Sequence, residues 1–152
     1  MKLLIFFLQG IPESMGVVAV SLALAGVKLR WRIIAVSGSV IALFLFIIRA
    51  LPLTFGIHTI AGLLLVVIFL NYTTTVSTSK ALLVSFITLG MLAIMEILVL
   101  EPYFALTHLT LAEAQSNVLH WSLLGLLQAV LLNLAAILIA VVRKKKKDEW
   151  KI

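Results

Sequence analysis

The sequence predicts an all-α, polytopic integral membrane protein, a bundle of five transmembrane helices with the N-terminus outside and the C-terminus cytoplasmic. Of 152 residues, 63% are hydrophobic and 12% are charged, and the mean hydropathy of +1.24 lies far above that of soluble domains. The apolar residues form runs long enough to cross a bilayer, which takes roughly 20 residues. The basic residues are concentrated in the short connections between these runs.

Five apolar segments are predicted to span, and together they form a single domain over residues 1–152. Backbone amides in hydrocarbon must be bonded within their own segment, and no alternating strand pattern is present, so the segments are predicted to be helices. A basic cytoplasmic tail, residues 143–152, follows the last one. The predicted spans are approximately residues 3–27, 33–51, 55–72, 81–103 and 119–142.

The first segment is predicted to be retained as a helix. A cleaved signal peptide is the alternative, because Lys2 precedes an apolar run and residues 23–25 resemble a small-residue cleavage site. Pro12 and Glu13 interrupt the apolar region, and cleavage would leave the basic residues 28–32 outside. Pro12 is expected to kink this helix or to mark its start, because proline lacks an amide donor.

Basic residues set the predicted orientation. Five crossings with the C-terminus inside place ten of the twelve Lys and Arg residues in the cytoplasm and leave only Lys2 and Arg49 outside. The connection from Pro102 to Val118 is then outside, and its "TLAE" stretch, Thr110 to Glu113, predicts a helix-capping box. The helix that it opens either continues to residue 147 or breaks near Asn117, and we favour the break.

A group of polar residues within the spans forms the candidate site. In the predicted topology these residues fall in the middle or outer half of the bilayer, on four different helices. A charge near the bilayer centre costs about 2.5 to 3.5 kcal/mol on insertion scales, so such residues usually face the bundle interior and mark a functional site. The predicted ligand-binding or proton-sensing residues are Glu96, Arg49, Glu13, His58 and Gln9.

Each of the charged candidates also has a structural interpretation. Arg49 can pair with Glu13 or Glu96, or extend to the outer headgroups. His58 can contact a ligand or be a neutral imidazole bonded to a carbonyl. Glu96 is the strongest candidate because a glutamate is too short to reach the interface, although a protonated, hydrogen-bonded carboxyl is the alternative.

Other polar residues are predicted to have structural roles. Glu101, His108 and His120 are predicted to be interfacial, and Gln128 and Asn133 to form hydrogen bonds between helices. Small residues spaced four apart, Ala35 with Ser39 and Gly38 with Ala42, predict a close-packed face on the second helix. The tail "RKKKKDEWKI" is predicted to anchor on anionic lipid, with Trp150 at the interface.

The sequence carries no pattern typical of an enzyme or of a cofactor site. It has no HExxH, phosphate-binding glycine loop or GxSxG motif, and its first aspartate is Asp148. The absence of cysteine excludes disulfides and thiolate metal sites. No cofactor and no metal are therefore predicted. No nucleic-acid partner is predicted either, because clustered basic residues in a polytopic chain report orientation.

The stretch "RALPLTFGIHTIAGLLLVVIFL", residues 49–70, resembles the membrane-spanning N-terminal regions of certain Gram-positive sensor histidine kinases of the GHKL type. The shared features are Arg and Leu-Pro at the end of the second helix and Phe-Gly-Ile-His-Thr opening the third. Only ten or so residues follow Val142, so no phosphoacceptor helix or ATP site is expected here. The resemblance therefore implies a sensor-like module, either on its own or as a piece of a longer chain, without kinase activity.

The leading expectation is a non-enzymatic sensor or regulatory subunit in the cell membrane. It would act on a protein partner at the cytoplasmic face, either histidine kinase-like or another membrane subunit, and a homo-oligomer is also open. The alternatives are a small transport component, since intramembrane carboxylates and a histidine suit proton coupling, and a structural subunit of a larger membrane complex.

Overall fold

The part of the chain that the structure describes consists of helices joined by short connections. A computed structural model describes residues 2–51, 57–143 and 149–152. The helices are α1 Lys2–Ala25, α2 Trp31–Ala50, α3 Ile57–Thr73, α4 Thr78–Thr107, α5 Leu111–Ser116 and α6 Val118–Val142. The all-α prediction is confirmed for these residues.

Four of these helices, α1, α2, α4 and α6, are long and apolar enough to cross a membrane. Helix α3 is apolar but has only 17 residues. At 1.5 Å per residue it measures about 26 Å, slightly less than a hydrocarbon core of about 30 Å. Many large apolar side chains lie exposed on the outside of the bundle, as a lipid-facing surface requires.

Helix α1 is the central element of the fold, and its C-terminal part is almost completely buried from Val18 to Ala23. It packs most extensively against α6 and α2 and also contacts α4 and α3. Phe6 lies against Phe46, whereas Pro12 is bonded to Asn133, so α1 runs antiparallel to α2 and parallel to α6. Helices that follow each other in the chain therefore alternate in direction, apart from the short α5.

Helix α1 ends at Ala25, in a motif set by Gly26. Gly26 has φ 82°, a left-handed conformation that glycine adopts without strain. Its amide donates to the Ala23 carbonyl and the Val27 amide to the Leu22 carbonyl, which is the Schellman arrangement. The apolar segment predicted to span to about residue 27 thus extends two residues past the end of the helix.

Helix α4 shows the largest departure from the predicted spans. Residues 102–107 were expected to belong to an outer connection, but α4 continues through Pro102 to Thr107 and ends at His108, which is left-handed with φ 55°. The proline removes a single backbone hydrogen bond of α4, and Tyr103 and Phe104 beyond it are half-buried.

The predicted break at Asn117 and the predicted capping box are both confirmed. Asn117 separates α5 from α6 with φ −91° and ψ 91°. Thr110 accepts a bond from the Glu113 amide, while the Glu113 carboxylate accepts from the Thr110 amide at 2.7 Å and from its hydroxyl at 2.7 Å. These bonds stabilise the carboxylate, so they hold the pKa of Glu113 below its ordinary value.

Pro12 lies inside α1 and does not mark its start. The Asn133 side-chain amide donates to the Pro12 carbonyl at 2.9 Å and to Ala129 of its own helix at 2.8 Å. The interhelical role predicted for Asn133 is therefore confirmed. Gly16 faces the same asparagine, because a methyl group at Gly16 would lie 3.0 Å from Asn133 Nδ2.

The face of α2 predicted from small residues packs against α1. Gly38 and Ala42 are both buried. A methyl group on Gly38 would lie 2.6 Å from Met15 Cγ and 2.9 Å from its backbone nitrogen. Ser39 instead bonds the Ala35 carbonyl within α2 at 2.8 Å, so the closest approach of α1 and α2 depends on Gly38.

Candidate functional site

A cavity of about 470 Å³ lies between the helices at the end of the bundle where α2 ends and where α3 and α6 begin. Every helix except the short α5 contributes to its wall. We call it the polar cavity because charged and amide side chains from several helices line it. Its polar lining residues are Gln9, Glu13, Ser14, Arg49, His58, Thr59, Glu96, Trp121 and Gln128.

The structure places all five sequence-predicted site residues on the wall of this cavity. They come from α1, α2, α3 and α4, and α1 and α4 each contribute one carboxylate. The residues predicted to be interfacial, Glu101, His108 and His120, do not line the cavity and are exposed. Residues 52–56, which include Pro52 and Gly56 of the kinase-like motif, lie outside the described residues.

Glu13 is the carboxylate that the central helix α1 contributes to the cavity. It is half-buried on α1, one residue after the Pro12 carbonyl that Asn133 holds. Glu13 shares the cavity with a second carboxylate, Glu96 of α4, and with one permanent cation, Arg49 of α2.

Arg49, in the last turn of α2, is directed toward an aromatic cluster. Its guanidinium carbon lies 5.7 Å from the centre of the Phe6 ring, within cation–π range. Phe6 also packs against Phe7 and Phe46 at 5.5 and 5.1 Å. Arg49 makes no hydrogen bond or ion-pair contact with Glu13 among the described residues, so the predicted Arg–Glu pair is replaced by a longer-range attraction.

Glu96 and His58 lie on the wall formed by α4 and α3. Glu96 is exposed at the cavity, one helical turn before Leu100 on the same face. His58 is half-buried in the first turn of α3, and Gly62 lies one turn further along the same wall. No glutamate of α4 other than Glu96 lines the cavity, as the 140° separation of Glu101 on a helix requires.

Gln9 is held against α6 by a glycine. A methyl group at Gly125 would overlap the Gln9 side-chain amide, so this close contact requires the glycine. Trp121, Gly125 and Gln128 share one face of α6 and all line the cavity. Sequence reasoning missed Trp121 and Ser14 as lining residues, although the spacing of Trp121, Gly125 and Gln128 at three to four residues is a signal for one helical face.

Below the cavity the bundle is closed by packed side chains. The deepest lining residues are apolar, among them Val17 and Leu89. One turn beyond Val17 on α1, Ser21 Oγ lies 2.9 Å from Thr88 Oγ1 of α4, and both residues are fully buried. The nearby Ser85 hydroxyl is buried without a hydrogen-bond partner in the described structure. Polar groups therefore continue past the cavity floor, but they are sealed from it.

At the opposite end, cationic side chains bond the end of α1. Lys80 Nζ donates to the Ala25 carbonyl at 2.6 Å, and Arg143 donates to the Leu24 carbonyl. The last carbonyls of a helix lack internal partners and carry partial negative charge, so these contacts stabilise the helix end.

Residues 149–152 fold back onto this end of the bundle, in a segment that we call the C-terminal clasp. Thr75 donates to the Glu149 carbonyl and Lys151 to the Thr73 carbonyl, each at 2.8 Å. The Trp150 indole donates to the Lys28 carbonyl at 2.7 Å. The clasp therefore joins the α1–α2 connection to the α3–α4 connection.

This arrangement differs from the lipid anchor predicted for the tail. Trp150 packs against Phe69 with ring centres 6.3 Å apart, and the Arg30 guanidinium lies 5.5 Å from its ring. Trp150 is thus half-buried between protein loops. Anchoring on anionic lipid stays a prediction for residues 144–148, which lie outside the described residues.

Comparison with models of protein families, with curated proteins and with solved structures finds no match to this chain. The kinase-like motif of residues 49–70 thus stays a resemblance, and the candidate function depends on the cavity and the clasp.

Proposed function

We propose that this chain is a non-enzymatic sensor or regulatory module of the cell membrane, with five crossings, the N-terminus outside and the C-terminus in the cytoplasm. A ligand or a proton would enter the polar cavity from outside, and the change in helix packing would be transmitted to a protein partner at the cytoplasmic end. The observation that carries the proposal is that Gln9, Glu13, Arg49, His58 and Glu96 line one cavity at one end of the bundle.

The distribution of charge supports the proposed orientation. Ten basic residues lie at the clasp end or in the segments joined to it, and two lie at the cavity end. Lys and Arg in short loops favour the cytoplasmic side. The alternation of helix direction seen for α1, α2, α4 and α6 agrees with a crossing by α3 as well. Because α3 is short, it would cross with little tilt or would thin the bilayer locally.

Helix α1 supplies a direct physical connection between the two ends. Its outer half carries Gln9 and Glu13 on the cavity wall, and its last carbonyls are bonded by Lys80 and Arg143. A movement of α1 that begins at Glu13 would therefore be transmitted to the end of the bundle where the clasp lies. Because the clasp joins both inner connections, a partner that binds there would detect it.

The transport alternative has one observation in its favour. The Ser21–Thr88 pair and the Ser85 hydroxyl place polar groups beneath the cavity floor, which a proton pathway would use. The same layer is fully buried and tightly packed. A pathway across it would require the floor to open.

Trp150 fluorescence tests the sensor proposal in proteoliposomes. In a chain with Trp31→Phe and Trp121→Phe, Trp150 is the remaining tryptophan, since the sequence has three. We expect external acidification to shift its emission while the lumenal pH is held constant by buffer. Within the part of the chain that the structure describes, the titratable groups facing the cavity are Glu13, His58 and Glu96, beside the Arg49 cation, and α6 contributes none.

The double variant Glu13→Gln and Glu96→Gln should abolish this shift, and Glu101→Gln, an exposed acid on the same helix as Glu96, should preserve it. A shift that persists in the double variant would contradict the proposal. So would the absence of a shift in the chain that retains both glutamates and has Trp150 as its remaining tryptophan. In a weakly buffered parallel sample, a lumenal pH dye should report no more proton entry than in empty liposomes. Faster entry would establish the transport alternative.

A further inference from the structure

We infer that the polar cavity is built to take an organic cation that carries a bulky apolar group. The inference rests on the proposed binding function of the same cavity and adds the chemical class of its ligand. Three features carry it: the balance of charge on the wall, the position of Arg49, and the apolar and aromatic remainder of the lining.

The charge on the wall favours a cation. Two carboxylates, Glu13 and Glu96, face the cavity from α1 and α4, against one permanent cation, Arg49, from α2. His58 on α3 is the remaining titratable side chain on the wall among the described residues. With both carboxylates ionised, the wall carries one excess negative charge that a bound cation would balance.

The position of Arg49 leaves the carboxylates available. Its guanidinium lies over the Phe6 ring at 5.7 Å and forms no ion-pair contact with Glu13 or Glu96 within the described residues. An ion-paired wall would have little attraction for a further charge. Here the arginine is held by the aromatic cluster of Phe6, Phe7 and Phe46, so a cation placed between the two glutamates would meet unpaired oxygen acceptors.

The rest of the wall favours an apolar, organic ligand. Trp121 lies at the mouth of the cavity in the first turn of α6, and tryptophan is the side chain best suited to contact a cation through its ring face. A volume of about 470 Å³ falls in the range of sites for drug-sized molecules. The apolar lining residues include Ile41, Leu45, Leu89, Leu92, Leu100 and Leu124.

A bare metal ion fits this wall poorly. Among the described residues, no three His, Asp or Glu side chains converge closely enough to hold one. Glu13, Glu96 and His58 are instead distributed around the cavity on three helices. The spacing suits a larger ion whose charge is spread over its apolar surface.

Binding of two ions of the same shape and opposite charge tests the inference on the purified full chain. Radiolabelled tetraphenylphosphonium is the cationic probe, and tetraphenylborate is its anionic counterpart. We expect saturable binding of the cation and none of the anion. Saturable binding of the anion in its place would overturn the cation inference while leaving the proposed binding cavity intact, and binding of neither would overturn the inference, with the Trp150 measurement then deciding the proposed function.

Variants locate the bound cation. Glu13→Gln and Glu96→Gln should each weaken tetraphenylphosphonium binding by about tenfold or more, because each removes a charged contact. Glu101→Gln is the matched control and should bind like the parent. Equal binding by all three variants would show uptake on the apolar surface and would overturn the inference. Elution volume and thermal unfolding identify any variant that is misfolded, and the comparison of the two ions on the parent chain needs no variant.

Discussion

Replacing Gly38 with alanine is expected to lower the free energy of unfolding by about 1 to 3 kcal/mol, the usual cost of overpacking a tight contact. The new methyl group would lie 2.9 Å from the Met15 backbone nitrogen and 3.0 Å from its Cα. The Met15 side chain can rotate away, but its backbone cannot, so α1 and α2 must separate. Reversible unfolding of the purified protein by sodium dodecyl sulfate in mixed micelles measures the change.

Gly90→Ala is the matched control for this experiment. Gly90 also lies within a long helix, and a methyl group there meets nothing within 4 Å. Since alanine is the better helix former, this variant should be unchanged or more stable by up to about 1 kcal/mol. Equal destabilisation by the two substitutions would contradict the close contact of α1 with α2.

Replacing Trp150 with alanine is expected to cost about 2 to 3 kcal/mol, somewhat less than a fully buried tryptophan would. The substitution removes the indole bond to the Lys28 carbonyl, the packing on Phe69 and the contact with the Arg30 guanidinium. The α1–α2 and α3–α4 connections should then separate. Hydrogen exchange at the Thr75 and Lys151 amides, which donate to Glu149 and Thr73, should become faster.

Two substitutions calibrate the Trp150 result. Trp31→Ala removes the same side chain from a more exposed position, 42% accessible, and should cost about 0.5 kcal/mol or less, as surface changes do. Trp150→Phe retains a ring but loses the indole donor, and should cost about 1 kcal/mol, the worth of a typical hydrogen bond. If Trp150→Ala were as mild as Trp31→Ala, the clasp would not hold the connections together.

Local signals in the sequence predicted much of the fold. The Thr110–Glu113 spacing predicted a capping box, which depends on neighbouring residues only. A break near Asn117 was favoured because a helix continuing to residue 147 would be longer than the hydrocarbon core is thick. Gly38 and Ala42 predicted the packed face of α2 from their spacing of four residues. The continuation of α4 through Pro102 was missed, because a proline within a helix is tolerated only when tertiary packing compensates.

The sequence predicted which charged residues line the candidate site, but it did not predict how they are arranged. The cost of charge in hydrocarbon identified Glu13, Arg49 and Glu96 as inward-facing residues. The contact of Arg49 with Phe6 could not be read from the sequence, since it depends on the register between α1 and α2. The clasp was missed for a related reason: Trp150 follows a run of lysines that suggests lipid contact, whereas its partners are carbonyl and ring groups far away in the chain.

Labelling of single cysteines tests the proposed arrangement most directly. The chain has no native cysteine, so Thr59→Cys, Ser116→Cys and Ser77→Cys each provide a single thiol at an exposed position. Thr59 lines the polar cavity, Ser116 ends α5, and Ser77 precedes α4 at the clasp end. With a membrane-impermeant maleimide on intact cells, the account predicts labelling at positions 59 and 116, and labelling at position 77 only after permeabilisation. Labelling of position 77 in intact cells, with positions 59 and 116 protected, would show that the polar cavity faces the cytoplasm and would contradict the account.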